Sequence, residues 1–114
     1  MKKRTEMEEQ RDFVAWFRRE HPQHWIFSIP NGGYRNVITA ARIKMEGASS
    51  GVPDLFIPSL NTFIEMKVVG GKLSENQVKW IKYLTDSDYH CIVAYSFEDA
   101  KNKIESKIQL MGIW

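Results

Sequence analysis

The chain has 114 residues, 43% hydrophobic and 12% aromatic, with a formal net charge of +2. That length and apolar content suit one domain over residues 1–114 and exclude a disordered chain, while the mildly basic balance permits a polyanionic partner without demanding one. No apolar run approaches the roughly 18–20 residues that span a membrane, and a single cysteine, Cys91, excludes an internal disulfide and any cysteine-rich zinc or iron–sulfur site.

The charged start, "MKKRTEMEEQRDF", lacks the apolar segment of a signal peptide, which points to an intracellular, cytoplasmic protein. Thr5 followed by Glu8 is a capping-box pattern and predicts a helix from about residue 6 to residue 20. Phe13, Val14, Trp16 and Phe17 recur on it at helical spacing, and His21-Pro22 ends it, because a residue before proline resists the α region. "WIFSI" (25–29) reads as a short strand and "PNGGYR" as a loop. Residues 37–45 read as a short helix, and "EGASSG" as a second loop.

"PDLFI" and "TFIEMKV" are two strands joined by "PSLN", a hairpin spacing. Ser74, with Gln77 at the capping-box position, opens the next helix, whose inner face is Val78, Ile81 and Leu84. "HCIVAYS" is a buried strand, and "FEDAKNKIESKI" a helix with acids in its first turn and lysines later, as the helix dipole favours. The order α-β-(α)-β-β-α-β-α predicts an α/β (α+β) fold, a mixed β-sheet flanked by helices. The apolar end, "IQLMGIW", is expected to dock into the core or against another chain.

Strand side chains alternate between faces, so Phe63, Glu65 and Lys67 share one face while Ile64 and Met66 share the other. If the two hairpin strands pair, Asp54 stands beside Glu65 and Lys67. Two close carboxylates repel, and one is driven to protonate unless a cation joins them. Carboxylate oxygens are the ligands Mg²⁺ prefers. Such an ion lowers the pKa of water and stabilises charge on a phosphoryl oxygen, and a nearby lysine can help orient or deprotonate that water. This is machinery for phosphodiester hydrolysis. Taken alone, Glu-x-Lys is a weak signal that reads first as an exposed ion pair; the upstream Pro-Asp is what shifts the reading.

Pro-Asp and "EMK" form the motif of the PD-(D/E)xK phosphodiesterases. "IPNGGYR", "IKMEG", "GVPDLFI", "FIEMK" and "LSENQVKWIKYL" follow in order, and together they resemble the VRR-NUC family, more narrowly its small stand-alone members carried by phages. The resemblance covers about Thr5 to Ile104. It implies a restriction-endonuclease-like core and a Mg²⁺- or Mn²⁺-dependent, structure-selective DNA endonuclease that cuts branched DNA such as a four-way Holliday junction, leaving 5′-phosphate ends. Asp54 and Glu65 would be the metal-binding carboxylates, with the Met66 carbonyl completing the set. Lys67 would be the catalytic lysine, and Gln77 the glutamine that orders the site, alongside its reading as a cap partner of Ser74.

The family site also draws a glutamate from the first helix. Glu8 is accounted for by Thr5, and Glu6, on the stripe Glu6-Gln10-Phe13-Phe17, is preferred over Glu9. All three are also favourable anions at a helix start. Symmetric cutting of a junction needs two sites, hence a homodimer, in a bacterial or phage-infected cell. Two other readings remain: a nuclease-fold module that binds nucleic acid without cutting, and a sequence-specific restriction-type enzyme.

Tyr34 and Arg35, beside Asn31 in a glycine loop, are candidates for touching a DNA backbone or an unpaired base, against the reading of an ordinary turn. Lys72 is a candidate phosphate contact. Lys79 and Lys82 read as a solvated face, His21 and His24 as surface residues, and Trp16, Trp25 and Trp80 as core. His90 opens a strand and reads either way.

Overall fold

The computed structural model describes residues 3–30 and 37–112. Helix α1 spans Glu6–Glu20, and its start is fixed by the expected capping box. Glu8 N–H donates to Thr5 Oγ1 (3.1 Å), and Thr5 N–H donates to Glu8 Oε1 (2.9 Å). Two of the four orphan N–H groups at the helix mouth are thereby satisfied. Strand β1 is Phe27–Ser28, helix α2 Val37–Met45 and strand β2 Leu55–Ile57. A 3₁₀ turn over Pro58–Leu60 leads to β3, Thr62–Met66. Helix α3 is Glu75–Asp86, β4 is His90–Ala94 and α4 is Phe97–Leu110.

The four strands form one sheet in the order β1-β2-β3-β4. The first two pairings are antiparallel and β3–β4 is parallel, so the sheet is mixed and the fold α+β, as the element order implied. Register follows the apolar alternation. Leu55 and Ile57 of β2, Ile64 and Met66 of β3, and Ile92 and Ala94 of β4 turn to one face. There they meet Phe13 and Phe17 of α1 and Ala100, Ile104 and Ile108 of α4 in a single cluster. Each fully buried Leu, Ile or Phe contributes about 1.5–3 kcal/mol, and this layer is what holds the sheet in place. No helix is long and apolar enough to cross a membrane among the described residues.

Several sequence expectations are corrected. His21 and His24 are buried. The His21 N–H closes helix α1 on the Phe17 carbonyl (2.8 Å), and a turn bonds His24 N–H to the His21 carbonyl (3.0 Å). That turn folds both rings inward, His21 against Trp16 and Phe17, and His24 Nδ1 onto Ser59 Oγ (2.7 Å). Trp25 is 80% exposed, not core: its neighbours His24 and Ile26 turn into the protein, and Trp25 between them is left outward beside the sheet edge. Val78 is 51% exposed, with Ile81 half-buried and only Leu84 buried on α3. At the apolar end Ile108 docks into the core, but Leu110 and Met111 are exposed; Trp114 lies outside the described residues.

Gly51 holds the loop after α2 against α3. Its φ is +94°, and a Cβ there would meet the Asn76 carbonyl carbon at 2.6 Å. Gly47, at φ +112°, has nothing within 4 Å. Gly51→Ala is therefore expected to lower the urea midpoint of unfolding by the equivalent of about 2–3 kcal/mol, and Gly47→Ala by about 1 kcal/mol, backbone strain alone. Equal losses in the two variants would remove the close approach to α3 from the account.

A candidate metal-dependent active site

The β2–β3 register pairs Leu55 with Ile64 and Phe56 with Phe63. Continued by two positions, it sets Asp54 opposite Glu65 and Pro53 opposite Met66. The backbone bonds identify the kind of pair. Met66 N–H donates to Asp54 Oδ2 (2.7 Å), toward β2, whereas Lys67 N–H donates to the Ala94 carbonyl (2.7 Å), toward β4. Asp54 and Glu65 therefore occupy a non-hydrogen-bonded position of the antiparallel ladder, where opposing side chains come closest. The Met66 carbonyl points to the same side as its own N–H. Pro53 opposite has no N–H to offer it, so β2 leaves that oxygen available for another partner.

Glu65 is only 2% exposed and Lys67 8%, so the alternative of an exposed ion pair is set aside. Lys67 Nζ stands 4.0 Å from Glu65 Oε2. Gln77 fills both of its readings at once. Its Oε1 accepts the Ser74 N–H (2.7 Å), closing the α3 capping box, and its Nε2 donates to Glu65 Oε2 (3.2 Å). The other oxygen, Glu65 Oε1, is buried with no hydrogen-bond partner among the described residues. Burial first, and the neighbouring Asp54 carboxylate second, push the Glu65 carboxyl up to about 8, against a smaller opposing pull from Lys67.

A buried, partnerless carboxylate oxygen beside a second carboxylate is what a hard cation satisfies, so the donor set fits a divalent ion. The residues that could hold it are Asp54, Glu65 and the Met66 carbonyl. Among the described residues no group of three or more acidic, histidine or cysteine side chains gathers closely enough to hold an ion. Glu6 accordingly does not join the pair directly. It is exposed at the α1 start, yet lines the same cavity, of about 1390 Å³, as Asp54, Glu65 and Gln77. Glu9 is engaged elsewhere, with Arg4 (3.2 Å) and the Phe97 N–H (3.5 Å).

Lys72 is exposed outside this cavity lining. Tyr34 and Arg35 lie outside the described residues. Not foreseen from the sequence is the basic wall of the cavity, to which Arg4, Arg11 and Arg18 all contribute. For Arg11 and Arg18 the seven-residue spacing, which brings a helix back to within about 20° of the same side, was the available signal; Arg4 precedes the helix.

A model of the VRR-NUC domain family matches residues 2–98 of the chain. Among solved structures, a VRR-NUC domain protein superposes with a TM-score of 0.76 at 24% identity, covering 96% of this chain and 92% of its own. That likeness shows the fold. No curated protein matches the chain.

Without metal, Glu65 binds its proton more tightly folded than unfolded, so the native state holds the extra proton between about 4.5 and about 8. In EDTA the stability is therefore expected to fall as pH rises through that window, by a few kcal/mol in total (about 1.4 per pKa unit). Glu65→Gln should flatten the slope. Mg²⁺, which takes the ionised pair, should raise the melting temperature more at the alkaline end than at the acidic end. Urea and thermal melts across the pH series, with and without Mg²⁺, check all three; a flat wild-type profile in EDTA contradicts the raised Glu65 pKa.

Proposed function

This chain belongs to the VRR-NUC domain family, a nuclease family, and on that premise we propose that it is a divalent-metal-dependent endonuclease acting on branched DNA. The observation that carries the reading is the buried Glu65 carboxylate, with one oxygen unpartnered, set beside Asp54 and within reach of the Lys67 ammonium.

Asp54, Glu65 and the Met66 carbonyl would hold Mg²⁺ or Mn²⁺. When bound, the ion supplies charge stabilisation at a phosphoryl oxygen and a more acidic water. The protein's own residues do the rest. Asp54 is oriented by the Met66 N–H and Glu65 by the Gln77 amide, so neither carboxylate has to reorganise when charge develops nearby. The Lys67 ammonium donates hydrogen bonds that place the attacking water in line with the phosphorus, and it counters the negative charge that accumulates in the transition state. Its stem is buried, so the ammonium has little freedom to wander. Attack at phosphorus with departure of the 3′ oxygen leaves a 5′-phosphate and a 3′-hydroxyl. Glu6, across the cavity, bears on the charge of Glu65 from a distance.

One chain carries one such site, and paired incisions in a four-way junction need two. A two-fold homodimer supplies them. The exposed Leu110 and Met111 at the end of α4 provide apolar surface for such an association.

Cleavage of four-way, flap and linear DNA in Mg²⁺ or EDTA tests the proposal. Lys67→Ala is expected to lower the single-turnover rate at least 100-fold, while junction affinity stays within about threefold. Asp54→Asn should behave likewise, and should also lower the pH at which Glu65 ionises. Wild-type rates in Lys67→Ala refute the lysine assignment. Binding without metal-dependent cleavage on any DNA would instead mark a non-cutting nucleic-acid-binding module.

A further inference from the structure

The cavity that holds Asp54 and Glu65 does not stop at them. It runs along α1, with Phe27–Pro30 forming the opposite lip, as far as Arg18. Arg18 also lines a second, smaller hollow of about 320 Å³ together with Trp25. From Glu6 to Arg18 is twelve residues of helix, about 18 Å at 1.5 Å per residue. A groove of that length takes a strand of a few nucleotides.

The side chains along it suit a polyanion. Arg11 stands on the wall 67% exposed in its side chain, with one contact at 3.5 Å to Asp12. Arg18 donates from Nη2 to the Ile26 carbonyl (3.2 Å), which anchors the guanidinium at the far end and leaves its other N–H donors for a ligand. Positions 11 and 18 are about 10 Å apart along the helix axis. Arg4 is less available, held by Glu9 and Asp12. Where the wall ends, Trp25 offers an indole that is 80% exposed. A large aromatic left in solvent at the end of a basic track is the arrangement on which an unpaired base stacks.

We propose that the groove between α1 and β1 carries the DNA strand leading away from the scissile phosphate, with its phosphates on Arg11 and Arg18 and an unpaired base on Trp25. The inference rests on the nuclease reading of the Asp54–Glu65 site, which gives the groove its direction. It assigns to this face the discrimination between branched and fully paired DNA. A branch point carrying unpaired nucleotides a few steps from the cut offers such a base, and a continuous duplex does not.

The test is fluorescence anisotropy in EDTA over a range of salt, on a junction with unpaired nucleotides and on linear duplex, alongside single-turnover cleavage in Mg²⁺. Arg11→Gln and Arg18→Gln should each weaken binding to both DNAs several-fold and lower the log–log salt slope by about one. Trp25→Ala should weaken binding to the junction about tenfold and leave linear duplex unchanged. At subsaturating enzyme the cleavage rate should fall in step with the loss of affinity. Arg11 and Trp25 are exposed, so those two variants read the groove even where loss of the Ile26 contact loosens the Arg18 variant; thermal melts confirm that they are folded. Unchanged affinity and salt slope in folded Arg11→Gln together with unchanged junction affinity in Trp25→Ala overturn the groove while leaving a cleaving enzyme intact. Wild-type binding with no cleavage in any metal overturns the nuclease reading, and the groove is then judged on affinity alone. Failure of the wild type to bind DNA overturns the groove outright.

Discussion

Two carboxylates held face to face, one of them buried, are the constraint around which this structure is arranged. Asp54 and Glu65 come together because a non-hydrogen-bonded position of an antiparallel ladder brings opposing side chains close, and because the core on the other face of the sheet fixes the register. A slip of one residue would exchange Glu65 with Ile64, burying charge in the core and exposing the apolar row. The core therefore protects the pairing. The cost is a carboxyl group with a strongly raised pKa and an oxygen without a partner. Such strain is tolerated where it has a use, and binding a dication relieves both terms together.

The immediate surroundings serve the pair twice over. Asp54 accepts the Met66 N–H that a regular ladder would have given to the backbone opposite. Proline at position 53 withholds the return donor, leaving the Met66 carbonyl directed at the same spot. Gln77 is both the reciprocal partner of the Ser74 cap and the donor to Glu65. The first turn of α3 is thus part of the site, and its position in turn depends on the close approach of Gly51 to Asn76. Local folding and site geometry are coupled here through single side chains.

Helix α1 has two working sides. Phe13, Trp16 and Phe17 bury one against the sheet and α4, while Gln10, Arg11, Val14 and Arg18 line the cavity. Because the buried side sets how the helix lies across the sheet, it also aims the basic row, from the acidic pair at one end to Trp25 at the other. The acidic first turn lies at the Asp54–Glu65 end and the arginines follow, so field and geometry change along the same axis.

Much of this was legible in the chain itself, for reasons of short range. Helix starts at Thr5 and Ser74 are written in side chains three residues apart. The β2–β3 pairing is written in a period-two alternation, and that alternation also places Asp54, Glu65 and Lys67 on one face. What the sequence could not settle depends on long-range packing. The burial of His21 and His24 follows from a turn that folds them under Trp16 and beside Ser59. The exposure of Trp25 and Val78 follows from where the sheet edge and the outer side of α3 happen to lie. That Glu65 is sealed from solvent, and that Arg11 and Arg18 of α1, with Arg4 just before it, face the same cavity as the acids, was decided only when helix and sheet met. Hydrogen bonds between near neighbours are specified by spacing, whereas the desolvation of a charge depends on every element that covers it.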